Sequence, residues 1–350
     1  MQRCPTPTMP FQVATFNAGL AVGVLPYATE RVPRVVEALA ALDVDLLFVQ
    51  EFWLDAHWDL LRRALASRLP HALRPEPVHP AAPAACSAGQ VRPLVACAEA
   101  KCAGLSDEAL ARCVVQHCAS TALTLPTPCL NCIASHPVGT IHEVVGRCVG
   151  EPTASAASPT APSSRFGGLI AYGGSFGTGL LARTPLEDLG VLVFESTVNA
   201  RGALHARVAA PGIGDLHVFA VHLSPGGAEQ PPQLERLLAW VDEKAGGAPA
   251  LLLGDLNTTP GSSLFRRLER AGFRDADVPD RRGTFSHDGL GTGDVDDTGW
   301  RLDHVLLRGL DTGLHTTRIL DEPVTIEAAG RPVRTTLSDH FGVLATIGHG

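Results

Sequence analysis

Hydrophobic residues along the chain form short continuous runs or alternate with polar residues, and both patterns are typical of strands. The alternating pattern is clearest at Phe11–Asn17, and the continuous pattern is clearest at Leu46–Glu51. Further segments of these kinds predict strands at Gly179–Arg183, Gly202–Val208, Leu216–His222, Leu251–Leu253, Leu302–Leu307 and Phe341–Ile347. Strands are therefore expected along most of the chain.

Apolar residues recur with the period of an amphipathic helix between several of these strands. This spacing predicts helices around Val32–Leu39, Trp58–Leu65, Leu234–Val241 and Leu264–Leu268. Strands and helices alternate, but runs of successive strands intervene. The order predicts a layered α/β sandwich with mixed sheets.

The segment from Leu251 to Pro260 combines a buried strand with polar residues at its carboxyl end. Gly254 indicates a close approach to the backbone, and Asp255 and Asn257 point to the same side of an extended chain. An N-cap aspartate and a turn asparagine are the alternative interpretation. Burying a carboxylate and an amide there costs free energy unless the two groups have a use.

Polar side chains also occupy the ends or starts of the other predicted strands. Each alone is ordinary, because a single histidine or aspartate at a strand end is commonly a hydrogen-bonded structural residue. Together they predict one shared site, and the candidate residues are Asn17, Glu51, His222, Asp255, Asn257, Asp303, Asp339 and His340.

Residues 75–164 interrupt the regular pattern and are expected to form an insertion. The segment is rich in Pro, Ala and Ser, and Pro159–Ser164 resembles a linker. Eight of the nine cysteines lie here with a sixteen-residue recurrence: Cys86, Cys102 and Cys118; Cys97, Cys113 and Cys129; Cys132 and Cys148.

Disulfides are the simplest explanation for these cysteines, because a segment with few large apolar residues cannot build its own core. A zinc site at Cys129 and Cys132 with His117 or His136 is one alternative, and reduced structural thiols are another. Disulfides would indicate an oxidising, extracytoplasmic compartment. Met1–Pro10 has no apolar h-region, however, so no signal peptide is expected in this chain.

Composition restricts the classes of partner. The 350-residue chain is 45% hydrophobic with a formal net charge of −8, so it lacks the overall positive field of many nucleic-acid binders. No apolar run is long enough for a transmembrane segment. A metal enzyme remains compatible with the acidic balance, because a bound cation supplies local positive charge.

Six short segments resemble the signature blocks of the endonuclease/exonuclease/phosphatase superfamily, and they occur in the family order. They are Thr15–Asn17, Val49–Glu51, Val221–Leu223, Gly254–Asn257, Leu302–Val305 and Ser338–His340. The resemblance implies a four-layer α/β sandwich of the DNase I-like kind, with two mixed sheets flanked by helices. It covers a catalytic domain at residues 11–347, with the cysteine-rich insertion at residues 75–164.

The resemblance also implies a divalent-cation site. Glu51, Asn17 and Asp339 would hold the ion through oxygen atoms, which suits Mg²⁺, with Mn²⁺ as the alternative. The cation would polarise a phosphoryl oxygen. The implied activity is phosphoester hydrolysis by metal-assisted attack of water.

The remaining candidates receive roles from the same resemblance. Asp255 would position or deprotonate the attacking water, and Asn257 would hydrogen-bond the phosphate. His340 would pair with Asp303, which orients the imidazole and stabilises its protonated form. His222 would donate to a non-bridging phosphate oxygen. Positioning and electrostatics would dominate such a reaction.

The resemblance leaves the phosphoester open. Val49–Trp53 and Ala200–Leu204 are similar to the sphingomyelinase-like branch, which favours a phospholipid headgroup and peripheral contact with a membrane. A DNase I-like endonuclease is the alternative, although nucleic acid usually requires basic and aromatic side chains and aromatic content is 5%. A catalytically silent binding or scaffold protein is a further alternative, by fold analogy.

Overall fold

The computed structural model of the protein describes residues 10–77, 85–134, 136–150, 171–196, 199–277, 279–286, 288–295 and 297–348. Its strands are β1 Phe11–Asn17, β2 Leu46–Gln50, β3 His71–Leu73, β4 Gly179–Ala182, β5 Glu187–Phe194, β6 Arg201–Ala210, β7 Gly214–His222, β8 Ala250–Asp255, β9 Asp303–Arg308, β10 Leu314–Ile319, β11 Val324–Ala328, β12 Arg331–Thr335 and β13 Gly342–Ile347.

The helices fall into two groups, one that covers the sheets and one that belongs to the cysteine-rich segment. The first group is α1 Ala28–Ala41, α2 Asp55–Leu65, α8 Gln230–Ala245, α9 Phe265–Arg270 and α10 Gly289–Thr292. The second group is α3 Ala88–Lys101, α4 Asp107–His117, α5 Ala119–Ala122, α6 Thr127–Ala134 and α7 Ile141–Gly146. A 3-10 helix spans Ala171–Gly174.

Two mixed sheets form the centre of the molecule. The first has the strand order β10-β13-β1-β2-β4-β3, and the second has the order β5-β6-β7-β8-β9. β1 and β2 are parallel, as are β7 and β8, while the other neighbours in the two sheets are antiparallel. The antiparallel pair β11–β12 stands apart as a hairpin.

Three hydrophobic clusters produce the layers. Phe48 of the first sheet and Leu253 of the second belong to a cluster between the two inner faces. The outer face of the first sheet packs on α1 and α2, and that of the second packs on α8 and α9. The predicted four-layer α/β sandwich is therefore confirmed, because each sheet buries both of its faces.

Four disulfides stabilise the cysteine-rich helices. The pairs are Cys86–Cys129, Cys97–Cys118, Cys102–Cys113 and Cys132–Cys148. The disulfide prediction is confirmed and the zinc alternative is wrong, because the sulfurs of Cys129 and Cys132 are consumed in covalent bonds. The same fact excludes a metal at Cys132, His136 and Cys148, although their ligand atoms lie within 4.8 Å of one another.

The cysteine-rich helices pack against the loop that connects β1 to α1. A Cβ atom at Gly23 would lie 2.5 Å from the Cβ of Ala111 on α4, so glycine allows the helix to approach. The backbone N–H of Thr29 donates to Glu108 Oε2 at 3.4 Å. The helices therefore lie beside the segment that follows Asn17.

Several strands carry no clear sequence pattern, and the predictions missed them. They are β3, β5, β10, β11 and β12, several of which are short or exposed on one face. The predicted linker at Pro159–Ser164 lies outside the described residues. In the described part of the chain, none of the helices has the length and hydrophobicity that crossing a bilayer requires.

Candidate active site

Strand register places three candidate residues side by side at one edge of the second sheet. Asp255 at the end of β8 is the pairing partner of His222 on β7 and of Asp303 on β9. Gly254 makes this approach possible: its φ is +131°, and a Cβ there would lie 2.0 Å from the Val221 carbonyl oxygen. The close backbone approach predicted at Gly254 is confirmed.

Asn17 joins the two sheets at this edge. It ends β1 in the first sheet, and its side-chain Nδ2 donates to Glu51 Oε1 at 3.2 Å. The same nitrogen donates to Asp255 Oδ2 on the second sheet at 3.1 Å. The polar ends of β1, β2 and β8 therefore meet at one place.

His340 and Asp303 form a buried pair next to Asp255. His340 Nδ1 lies 2.9 Å from Asp303 Oδ2, and Thr284 Oγ1 donates to that oxygen at 2.7 Å. His340 Nε2 lies 3.9 Å from Asp255 Oδ2. Burial alone would lower the pKa of His340, but the charges of Asp303 and Asp255 raise it above its usual value. His340 is consequently a cation at neutral pH.

Asp255 remains ionised although it is buried. Burial would raise the pKa of its carboxyl group, but the charge of His340 and hydrogen bonding to His222 hold the pKa well below its usual range. His222 Nε2 lies 3.4 Å from Asp255 Oδ2, and the backbone N–H of Asn257 donates to Oδ1 at 2.9 Å. A fixed anion surrounded by donors can orient and deprotonate a water molecule.

Arg201 is a site residue that was not among the predicted ones. Its guanidinium contacts His222 Nε2, and both side chains are buried. Burial and the nearby Arg201 charge lower the pKa of His222, while Asp255 opposes the shift. Neutral imidazole and guanidinium N–H groups are donors suited to phosphate oxygens.

Glu51 and Asp339 complete a set of hard oxygen donors with Asn17. Glu51 has a left-handed backbone φ of 60°, and its Oε2 accepts from Trp53 Nε1 at 3.4 Å. Burial raises the pKa of Asp339 and the negative charge of Glu51 raises it further, whereas His340 opposes the shift. A divalent cation would relieve this repulsion, so the donor set fits Mg²⁺ or Mn²⁺.

Asn257 lies at the site, but its amide has a structural contact. Nδ2 donates to the Leu223 carbonyl oxygen at 2.9 Å, and the backbone has a φ of 48°. Gln230 Nε2 donates to the carbonyl oxygens of Leu256 and Asn257 at 3.0 and 2.7 Å. These bonds determine the path of the chain after Asp255.

The structure thus brings the predicted site residues to one edge of the sandwich. Ligand atoms of Asp255, Asp303 and His340 lie within 4.8 Å of one another. Thr284 and Trp53 were missed together with Arg201. Arg201 and Trp53 had a sequence signal, since they lie in the stretches Ala200–Leu204 and Val49–Trp53 that resemble the sphingomyelinase-like branch. Nothing in the sequence distinguishes Thr284 from other threonines.

Comparison with known proteins places this geometry in context. The sequence model of a protein family, described as the Endonuclease/Exonuclease/phosphatase family, matches residues 14–340 of this chain. Among curated proteins, the uncharacterized protein YbhP of Escherichia coli K12 is 36% identical over 90 residues. That match covers 24% of this chain and 34% of YbhP, so it spans about a third of the relative.

Solved structures with the same architecture cover nearly the whole chain. Sphingomyelinase C from Streptomyces griseocarneus has a TM-score of 0.57 and 16% identity, covering 97% of this chain and 99% of that chain. A Staphylococcus aureus beta toxin mutant with bound magnesium ions has a TM-score of 0.57 and 11% identity, with the same coverage. A humanized D. rerio TDP2 has a TM-score of 0.53 and 15% identity, again with the same coverage. At these identities the likeness shows the fold, and the DNase I-like prediction is confirmed.

Proposed function

Because the chain belongs to the Endonuclease/Exonuclease/phosphatase family, we propose that it is a Mg²⁺-dependent phosphodiesterase. The observation that carries the proposal is the convergence on Asp255 of groups from both sheets. Asn17 Nδ2, His222 Nε2 and His340 Nε2 lie 3.1, 3.4 and 3.9 Å from one oxygen of this carboxylate.

Asp255 is the base in the proposed reaction. Its carboxylate accepts a proton from a water molecule, whose oxygen attacks phosphorus while the bond to the leaving oxygen breaks. The depressed pKa keeps Asp255 ionised before attack. The position of the carboxylate among fixed donors provides the orientation that this attack requires.

Cationic and neutral donors stabilise the charge that develops on the phosphate. His340, held by Asp303 at 2.9 Å, is oriented with Nε2 toward the reacting groups. His222 and Arg201 would donate to non-bridging oxygens. Preorganised donors of this kind are commonly the largest contribution to such catalysis.

Glu51, Asn17 and Asp339 would hold the cation, which when bound supplies Lewis-acid polarisation of a phosphoryl oxygen. Their carboxylate and amide oxygens match the preference of Mg²⁺, and Mn²⁺ is the natural substitute. Asn257 has its amide nitrogen engaged with Leu223. The amide nitrogen has two N–H groups, so the proposed role of Asn257 is to donate the second one to a phosphate oxygen while the first holds the loop.

The charge distribution supports a phospholipid headgroup over nucleic acid as the substrate class. Two arginines of the clusters Arg266–Arg267 and Arg281–Arg282 have carboxylate partners: Arg267 pairs with Glu235 at 2.5 Å, and Arg282 pairs with Asp280 and Asp321 at 2.7 and 3.1 Å. Contact with a nucleic-acid backbone normally needs unpaired positive charge. Peripheral contact with a lipid surface would follow from a sphingomyelinase-like activity.

The four disulfides support an oxidising, extracytoplasmic compartment. The two alternatives, a DNase I-like endonuclease and a catalytically silent scaffold, rest on family and fold analogy alone. Neither explains the carboxylate pairing of Arg267 and Arg282 together with the polar groups around Asp255.

One competition experiment tests the proposal. Wild-type protein is incubated with a mixture of sphingomyelin, lysophospholipid and plasmid DNA. The consumption of each substrate is measured first in the presence of EDTA and then after Mg²⁺ is added. We expect Mg²⁺-dependent consumption of a phospholipid, and a loss of about 10³-fold in rate for Asp255→Asn. Asp311→Asn, which alters an exposed carboxylate, is the matched control.

Each outcome of that experiment has a definite meaning. Cleavage of DNA without cleavage of lipid selects the endonuclease alternative. No consumption of any of the three substrates with Mg²⁺ or Mn²⁺, by protein with a cooperative melting curve, contradicts the proposed activity on these substrates. An undiminished rate in Asp255→Asn removes Asp255 from the mechanism.

A further inference from the structure

Arg31 on α1 is a charged side chain buried directly beneath the candidate active site. Its relative exposure is 0%. Burial of an ionised group is costly unless hydrogen bonds replace its hydration. The contacts that replace water here come from two separate loops, so Arg31 connects segments that are distant in the sequence.

The guanidinium donates to four backbone carbonyl oxygens. Nη1 donates to Ala18 at 3.0 Å and to Leu337 at 2.6 Å, and Nη2 donates to Gly19 at 2.5 Å. Nε donates to Pro26 at 3.1 Å. No carboxylate oxygen lies within 4.0 Å of this guanidinium in the described residues, so these carbonyl groups replace the usual ion-pair partner.

The acceptors adjoin the proposed metal ligands. Ala18 and Gly19 follow Asn17 directly, and Leu337 lies two residues before Asp339. The two loops touch at Gly19, where a Cβ atom would lie 2.7 Å from Asp339 Oδ1. A planar fork with five N–H donors can hold both loops in one geometry, whereas the single ammonium of lysine cannot reproduce that pattern.

The charge of Arg31 also acts on the site. Burial lowers its pKa to about 10, while the carboxylates of Asp339, Glu108 and Glu51 oppose the shift. The side chain is therefore a cation at neutral pH.

We infer that Arg31 is a positioning residue that holds the loops of Asn17 and Asp339 at the separation a divalent cation requires. The inference rests on the proposed function, because it gives these two residues the role of metal ligands. The guanidinium is fully buried, and its hydrogen bonds go to carbonyl groups. It acts through the backbone carbonyl groups of the two loops.

The test compares Arg31→Lys and Arg31→Met with Arg34→Met. Arg34 lies on the same helix, but it is exposed and forms a surface ion pair with Glu37, so it is the matched control. Binding of Mn²⁺ without substrate is measured by electron paramagnetic resonance. We expect roughly tenfold or greater weakening in both Arg31 variants, which is the usual scale for loss of a group that supports metal ligands. Arg34→Met should bind Mn²⁺ as the wild type does.

Hydrogen exchange provides a readout that does not depend on catalysis. Faster exchange confined to residues 17–20 and 337–340 in the Arg31 variants supports the positioning role, even if the wild type hydrolyses no phosphodiester. Unchanged exchange in these loops overturns it. Uniformly faster exchange with Mn²⁺ affinity unchanged also overturns it, because Arg31 would then contribute only to global stability. Arg31→Lys retains the charge and remains informative if Arg31→Met does not fold.

Discussion

Asp255 is the residue at which the interactions of the site meet, and its surroundings separate two kinds of polar group. Asn17 and the Asn257 backbone donate to its carboxylate, and His222 Nε2 lies 3.4 Å from it. Asp303 acts one step away, through His340. Because both carboxylates are buried, the local hydrogen bonds distinguish them, and the proposed mechanism makes Asp255 the base and Asp303 the partner that orients an imidazole.

Substitution of Asp303 by asparagine should disturb the orientation of the His340 imidazole without unfolding the protein. An amide at this position could donate to His340 Nδ1 and favour the wrong tautomer, so we expect kcat to fall by about 10²–10⁴-fold. The melting temperature should change little. Steady-state kinetics on the preferred substrate measures the effect, with Asp311→Asn as the control. A wild-type kcat in Asp303→Asn would show that His340 needs no carboxylate partner.

His57 should make the stability of the protein depend on pH. The imidazole on α2 is buried, its Nδ1 has no hydrogen-bond partner among the described residues, and burial lowers its pKa to about 4. The unfolded chain binds the proton near the ordinary pKa of about 6.5. The contribution of His57 to the free energy of unfolding is therefore fully present above about pH 6.5, and it decreases as the pH falls from about 6.5 to 4.

Urea unfolding of wild type and His57→Leu at several pH values tests this expectation. The wild type should lose on the order of 2 kcal/mol more than His57→Leu between neutral pH and pH near 4.5, after allowance for partial exposure. Parallel pH profiles for the two proteins would contradict it. The comparison removes contributions from the other buried histidines, since both proteins contain them.

At the scale of elements, strand ends and disulfide-linked helices place the site residues. Gly254 lets β8 approach β7, so that Asp255 lies beside His222. The cysteine-rich helices pack from the outside on the loop that follows Asn17, and Tyr172 Oη donates to the Val22 carbonyl of that loop at 3.2 Å. One side of the candidate active site therefore depends on elements that are stabilised by covalent bonds.

Gly254→Ala should be strongly destabilising. The added Cβ would lie 2.0 Å from the Val221 carbonyl oxygen and 2.9 Å from Phe48 Cε1, at a φ of +131° that alanine rarely adopts. We expect a loss of about 3 kcal/mol or more in the free energy of unfolding. Gly247→Ala, where no atom of the described residues lies within 4 Å of the added Cβ, should change it by less than about 1 kcal/mol. Equal effects of the two substitutions in chemical unfolding would disprove this account.

Reduction of the disulfides should expose the cysteine-rich helices to proteases before the sheets unfold. Each bond contributes about 2–4 kcal/mol, and this segment has only a small core of its own. Limited proteolysis with mass mapping should locate new cleavages between residues 88 and 146 after reduction. Cys4→Ser, which retains all four bonds, is the control. An unchanged cleavage pattern in the reduced protein would contradict the prediction.

For the whole molecule, the two packed sheets meet at a polar edge that has more carboxylates than cationic side chains. Asn17 and Glu51 come from the first sheet, and Asp255 and Asp303 come from the second. A cation bound between such groups interacts with the folded state and not with the dispersed unfolded chain. Binding should therefore appear as stabilisation of the entire domain.

Mg²⁺ should raise the melting temperature of the wild type by several degrees. A ligand at about one hundred times its dissociation constant stabilises the folded protein by about 2.7 kcal/mol. Each kcal/mol raises the melting temperature of a large domain by about 2–4 °C. Glu51→Gln should need more Mg²⁺ for the same shift, whereas the exposed Glu322→Gln should behave as the wild type. Scanning fluorimetry across a Mg²⁺ titration measures this. Identical titrations for Glu51→Gln and the wild type would remove Glu51 from the metal site.

Sequence patterns predicted the central strands, the covering helices and the polar residues at the strand ends. These features follow from local periodicity, because a side chain's face and its position at a strand end are determined by its neighbours in the chain. The candidate residues Asn17, Glu51, Asp255, Asp303 and His340 could therefore be selected before any fold was known.

Tertiary structure alone decided which distant groups meet. The contact of Arg201 with His222, the bond from Thr284 to Asp303, and the carbonyl groups that Arg31 joins all connect residues far apart in the chain. Disulfide pairing was open for the same reason. Such contacts depend on strand register and layer packing, which the whole chain sets together, so no local pattern contains them.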